Sequence, residues 1–302
     1  MSLVMCCRGA MLKQGRAFGV VLSIILFSSV SAADSLPLSA RAAVLMDADT
    51  GEVLYAKEPN LRLPPASLTK IVTALVALDH LDLNAKVAVS AGAADTVPSR
   101  IGLQAGERLY VQDLLYGLLL KSGNDAAEAI AEAVAGSVGR FAGLMNAKAL
   151  LLGAYSSHFS NPHGLNADAH YSSAFDMALI FRQAMRNPIF AEIVVTRNAL
   201  LRVESDAPYS AVRLVKVSNS NRLLQSYYGA RGGKTGYTRA ARLCFVGEAR
   251  RGQQRLIAVV LGSESNDARW RDVETLFDYG FGLRDLPFTA GQEAPSKNNN
   301  PS

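Results

Sequence analysis

The sequence predicts an α/β or α+β sandwich whose sheet takes strands from both ends of the chain, with a helical block between them. Two observations carry this. Short β-like runs lie at 42–46 and 52–56 and return after Ala199, while the stretch between is rich in Ala and Leu at helical spacing. Composition agrees: the 302 residues are 49% hydrophobic and 19% charged, which excludes disorder, collagen and coiled coil for the bulk of the chain. No internal repeat or linker divides it.

Taken in order, the first element is a targeting signal. Arg8, Lys13 and Arg16 precede an apolar run over 17–27, and Ser31-Ala32-Ala33 follow. This is the pattern of a secretory signal peptide, residues 1–32, cleaved near Ala32 or Ala33, so the mature protein is exported to the periplasm or another extracytoplasmic space. The run is shorter than the ~20 residues of a membrane span, so membrane contact is transient. An uncleaved anchor is the alternative, and Met11 is an alternative start. Cleavage removes three basic and no acidic residues, leaving 28 Lys+Arg against 26 Asp+Glu. The charge falls from +5 to +2, and the case for a nucleic-acid partner falls with it. Cys6 and Cys7 leave too, and Cys244 remains as a lone core thiol.

Residues 42–46 and 52–56 flank a turn signal, Asp47 to Gly51, and read as a hairpin. After Pro64-Pro65, apolar residues at Leu68, Ile71, Val72, Leu75, Val76 and Leu78 make 67–81 a helix, apolar on nearly every side and therefore buried. Residues 111–152 are helical, interrupted at Ser122-Gly123-Asn124 and at 136–139. Ser173 and Asp176, at capping-box spacing with Asp in place of Glu, open a helix over 173–186. Strands follow near 200–203, 212–217, 232–238, 243–249 and 255–261, with the basic cluster 250–255 as an exposed turn. A helix over 267–281 closes a single domain spanning 33–286, and 287–302 form a polar, disordered tail.

Three short motifs carry the chemistry: Ser67-Leu68-Thr69-Lys70, Ser122-Gly123-Asn124 and Lys234-Thr235-Gly236. Ser67 and Lys70 are three apart at a helix start, so both side chains leave one face. A serine hydroxyl needs a base, and a lysine serves only if burial or a neighbouring cation lowers its pKa. Lys234 is positioned in sequence to be that second cation. Lys234 and Thr235 on a strand edge offer a cation and a hydroxyl to a carboxylate, and Gly236 lets a substrate backbone lie against the strand. Alone, Ser-x-x-Lys is weak: about one is expected by chance in such a chain. The order and context of all three give them weight.

In these motifs and their order the sequence resembles the serine D-Ala-D-Ala carboxypeptidases, the low-molecular-mass penicillin-binding proteins. The resemblance runs from about Ala42 to Phe281 and includes Asp49-Thr50-Gly51, Lys121-Ser122-Gly123-Asn124-Asp125, Asn161-Pro162-His163-Gly164-Leu165 and Lys234-Thr235-Gly236-Tyr237-Thr238. It implies a β-lactamase/transpeptidase-like fold, an antiparallel sheet flanked by helices with a helical subdomain. It implies that Ser67 is the nucleophile, Lys70 its base and Ser122 a proton carrier. Asn124, Lys234, Thr235 and Gly236 would bind substrate, and the backbone N–H groups of Ser67 and Tyr237 would form an oxyanion hole. The implied partners are D-Ala-D-Ala ends of peptidoglycan stem peptides, with β-lactams as covalent inhibitors.

One departure stands out. Arg242 occupies a position where relatives often have glycine, which leaves the turn after the third motif open. Well-studied relatives carry a second β-rich domain and a C-terminal anchor, and residues 282–302 show neither pattern. A D,D-endopeptidase is the nearest alternative, followed by a β-lactamase, for which a Glu-x-x-Leu-Asn-like loop is lacking, and an inactive binding module. His80, His158, His163 and His170 form no metal motif, so neither a metal nor a cofactor is expected.

Overall fold

The computed structural model describes residues 36–205 and 212–285. The expected signal peptide and the expected tail, 287–302, lie outside the described residues.

A five-stranded antiparallel sheet is built from β1 (Ala42–Asp47), β2 (Val53–Lys57), β7 (Ala230–Thr238), β8 (Arg242–Arg251) and β9 (Gln254–Ser263), in the order β2-β1-β9-β8-β7. Strands from the early and the late part of the described chain thus meet in one sheet, as the sequence predicts. Alternation sorts its side chains between two apolar layers. Ala43, Leu45, Phe245, Ala258 and Val260 pack with Trp270, Val273 and Phe277 of α9 (Asn266–Asp285). Val44, Met46, Val246, Ile257 and Val259 face the opposite layer, with α1 (Lys70–His80) and α6 (Ala174–Ala184).

Residues Lys70 to Ala77 of α1 are all buried, as a helix apolar on every side must be. Around it pack α3 (Val111–Leu120), α4 (Asn124–Ala135) and α5 (Val138–Leu151), the segments into which the two sequence interruptions divide 111–152. At α6, Ser173 Oγ accepts from Asp176 N at 3.1 Å. The Asp176 carboxylate reaches the Ser156 N–H and the Ser157 hydroxyl, so it fastens a distant loop.

A second antiparallel sheet, β3 (Lys86–Ala88), β4 (Glu107–Tyr110), β5 (Asn198–Ser205) and β6 (Arg213–Ser218), in that order, covers α3. The sequence led us to expect β5 and β6 but not their partners. The remaining helices are short: α2 (Ala91–Ala94), α7 (Pro188–Val195) and α8 (Leu223–Ser226). Among the described residues no helix is long and apolar enough to cross a membrane.

Candidate active site

Ser67 lies in a 3-10 turn over Ala66–Thr69, and α1 begins only at Lys70. The predicted helix therefore starts later than expected, which helps the geometry. In a 3-10 turn residues i and i+3 eclipse one another, and Lys70 Nζ lies 3.0 Å from Ser67 Oγ. Ala66 holds a left-handed φ of +50°, a costly conformation for a residue with a Cβ. Behind it Gly164 closes the turn from below, since a Cβ at 164 would fall 1.9 Å from the Ala66 carbonyl oxygen.

Lys70 donates also to Asn124 Oδ1 and to the His163 carbonyl oxygen, both at 2.7 Å. Those two oxygens are obligate acceptors. A neutral lysine has two hydrogens and one lone pair. With the hydrogens spent on Asn124 and His163, the lone pair is left for the Ser67 hydroxyl. The third acceptor is itself braced: His163 Nδ1 accepts from Leu165 N, and Nε2 lies 3.0 Å from Glu128 Oε1.

Ser122 and Asn124 occupy the turn between α3 and α4. Ser122 has φ +65°, which aims its side chain out of the turn. Asn124 is buried, with Oδ1 on Lys70 and Nδ2 donating to Val97 O at 2.6 Å. It ties α1 to the 97–103 loop and leaves its second amide hydrogen uncommitted among the described residues. Next in sequence, the buried Asp125 carboxylate accepts the N–H groups of Ile101, Gly102 and Leu103, fixing that loop as a wall of the cleft.

The opposite wall is β7, an edge strand. Lys234 Nζ, buried, donates to Ser122 Oγ at 3.0 Å and to the Thr235 carbonyl at 2.8 Å. Thr235 Oγ1 is 2.6 Å from Ser220 Oγ. Gly236 abuts the Ser67 turn: a Cβ there would lie 3.2 Å from Ser67 N and 3.1 Å from the Pro65 carbonyl. A side chain at 236 would crowd the strand against Ser67. Tyr237 stands exposed at the rim. Between the walls lies a cleft of about 340 Å³ lined by Ser67, Ser99, Ser122, Ser220, Thr235 and Arg269 among others.

The electrostatics follow from burial. Lys70 is held well below its usual range, first by desolvation and then by the charge of Lys234, while Asp125 opposes the shift. Lys234 is lowered to about 7 by burial and by Arg269. Arg269, from α9, was not foreseen. The residue is 6% exposed; its guanidinium lies 4.2 Å over the Trp270 ring, donates to Asn266 Oδ1 at 2.7 Å and has no carboxylate partner among the described residues. Its Nε has no hydrogen-bond partner. A buried cation facing a cleft without a counter-ion suits an anionic ligand.

The structure thus gathers Ser67, Lys70, Ser122, Asn124, Lys234, Thr235, Gly236 and Tyr237 around one cleft. Sequence reasoning missed Arg269, Ser220 and the Glu128–His163 brace. Only the resemblance around Asn161–Leu165 hinted at any of them. Among the described residues no group of His, Cys, Asp or Glu could hold a metal ion.

Comparison with known proteins agrees with this arrangement. Residues 29–265 match the family model described as D-alanyl-D-alanine carboxypeptidase. A D-alanyl-D-alanine carboxypeptidase of Mycobacterium tuberculosis is 41% identical over 264 residues, covering 85% of this chain and 88% of its own. Another, from Bacillus subtilis, is 40% identical over 80% of this chain, which spans only 62% of that relative's length. The crystal structure of the Streptomyces K15 DD-transpeptidase superposes with a TM-score of 0.78 at 36% identity, over 82% of this chain and 98% of that one. The chain belongs to the D-alanyl-D-alanine carboxypeptidase family of serine peptidases, the low-molecular-mass penicillin-binding proteins.

Proposed function

We propose that the protein removes the terminal D-alanine from peptidoglycan stem peptides through an acyl-enzyme on Ser67. The observation that carries this reading is the contact of Ser67 Oγ with a buried lysine whose two other partners are fixed acceptors.

Ser67 Oγ attacks the carbonyl carbon of the penultimate D-alanine as Lys70 takes the hydroxyl proton, a step worth roughly 10²–10⁴ in rate. The oxyanion is met by the backbone N–H groups of Ser67 and Tyr237, each donor worth about 3 kcal/mol. Ser122, whose oxygen already accepts from Lys234, has its hydrogen available for the leaving amine and is recharged by the proton that Lys70 took from Ser67, so Lys70 is neutral again and Lys234 keeps its charge. The C–N bond breaks and D-alanine departs. Water then attacks the ester, with Lys70 again taking the proton, and frees Ser67. Lys234, Thr235 and Arg269 hold the terminal carboxylate, and the remaining Asn124 amide hydrogen meets the acyl-side backbone.

A β-lactam carries the same carboxylate and amide, and on this reading it acylates Ser67. Residues 1–32 would export the enzyme to the wall. The test is to incubate the purified protein with a fluorescent penicillin, locate the adduct by mass spectrometry, and measure D-alanine release from a D-Ala-D-Ala peptide. An adduct on Ser67 with D-alanine release is expected. Folded protein without an adduct would sink the mechanism. Rapid penicillin turnover without D-alanine release would indicate a β-lactamase, and preference for cross-linked muropeptides an endopeptidase.

A further inference from the structure

We propose that Asp168 forms a second, anionic subsite that recognises an ammonium-bearing side chain on the residue preceding the acyl D-alanine. The proposal rests on the carboxypeptidase reading above and narrows its substrate class.

The direction of β7 sets the geometry. A peptide added to this edge strand in antiparallel fashion, with its carboxylate at Lys234 and Thr235, runs upstream past Tyr237 toward Thr238 and Ala240. A hollow of about 300 Å³ lies in that direction, lined by Pro64, Asn166, Ala167, Asp168, His170 and Ala240. It is anchored to the same strand, since Thr238 Oγ1 donates to Asn166 Oδ1 at 2.9 Å. Its floor adjoins the nucleophile's turn, where His170 Nε2 lies 2.9 Å from Thr69 Oγ1.

Charge separates the two ends of the cleft. The leaving-group end is lined by Lys121 and Arg269, beside Lys234, and by no carboxylate. Among the described residues that line the hollow Asp168 supplies the only carboxylate, and burial pushes the His170 imidazole down to about 4 and leaves it neutral. The Asp168 carboxylate is exposed and has no hydrogen-bond or ion-pair partner among the described residues; only its backbone carbonyl is engaged, by the Ser160 hydroxyl.

The loop that presents Asp168 is pinned on both sides. His158 Nδ1 holds the Ala169 carbonyl at 2.6 Å, His170 N donates to Ala167 O, and Asn161 Nδ2 donates to Leu165 O. A pre-set carboxylate at the upstream end and cations at the downstream end complement a peptide that is positive upstream and negative at its C-terminus.

Two peptides test this: Nα-acetyl-L-lysyl-D-alanyl-D-alanine and its Nε-acetylated form, compared by kcat/KM for D-alanine release. The wild-type protein should favour the free amine about 2- to 5-fold, the scale of a solvent-screened ion pair. Asp168→Asn should bring the ratio to about one, and Asp168→Lys should invert it. Equal ratios in the wild type and Asp168→Asn would overturn the subsite while leaving the carboxypeptidase reading intact. Failure of wild-type protein to release D-alanine from either peptide would overturn both. Because the readout is a ratio within each protein, a general loss of activity in a variant cannot imitate the result.

Discussion

Each wall of the cleft buries a lysine, and the two lysines keep different company. On the helical wall Lys70 meets three oxygens, Ser67 Oγ, Asn124 Oδ1 and the His163 carbonyl, all from neutral groups. On the strand wall Lys234 meets one hydroxyl and one carbonyl, and its strongest charged neighbour is another cation, Arg269. Burial alone would lower both pKa values. What separates the two lysines is the partner set, which leaves the lone pair of one for the Ser67 hydroxyl and leaves the other, with Arg269, without a carboxylate partner among the described residues.

The largest effect that could break this comparison is at Lys70. Lys70→Ala should slow penicillin acylation of Ser67 by roughly 10³-fold, measured by stopped-flow fluorescence, with the melting temperature reported beside it. A fall of less than tenfold would remove Lys70 as the base. On the strand wall, Arg269→Leu should raise KM for a D-Ala-D-Ala peptide roughly tenfold or more, the scale of a lost charge-assisted hydrogen bond, and should barely affect a peptide amidated at its C-terminus. Equal losses on both peptides would show that Arg269 supports the fold and does not bind the carboxylate.

The pH profile sharpens the contrast. Lys70 must be neutral to act, so activity is lost as pH falls through its lowered pKa. Lys234 must be charged to hold a carboxylate, so binding weakens as pH rises through about 7. Kcat/KM for the free peptide should therefore be bell-shaped, and the alkaline limb should vanish for the C-terminal amide. An alkaline limb that persists with the amide would detach it from Lys234.

The smallest effect concerns stability alone. Arg242, where the family often has glycine, sits at φ +57° opposite Thr238 in the turn joining β7 to β8. Arg242→Gly should stabilise the fold by about 1 kcal/mol, seen as a higher melting temperature, with no change in acylation rate. The strain at Ala66 lies next to Ser67, whereas that at Arg242 lies beyond the far end of the strand from Lys234. A change in kcat for Arg242→Gly would erase that distinction.

Much of this was legible in the sequence. The continuous apolar runs of β1, β8 and β9, buried on both faces of the sheet, and the all-round apolarity of α1 are local patterns that burial enforces. The helix α7 could also have been read, since Asn187 caps it and Pro188 takes its first turn. The partners β3 and β4 could not: at three and four residues they are too short for a period to register.

By itself the sequence determined the three motifs and their order, because the i, i+3 spacing of Ser67 and Lys70 and the chemistry of Lys234-Thr235-Gly236 are properties of short segments. Only the tertiary structure decided which two oxygens occupy the hydrogens of Lys70, that Arg269 arrives from α9 beside Lys234, and that the cleft is cationic at one end with a lone carboxylate at the other. Desolvation and Coulomb interactions act through space. They are fixed by which distant segments pack together, and no local pattern encodes that.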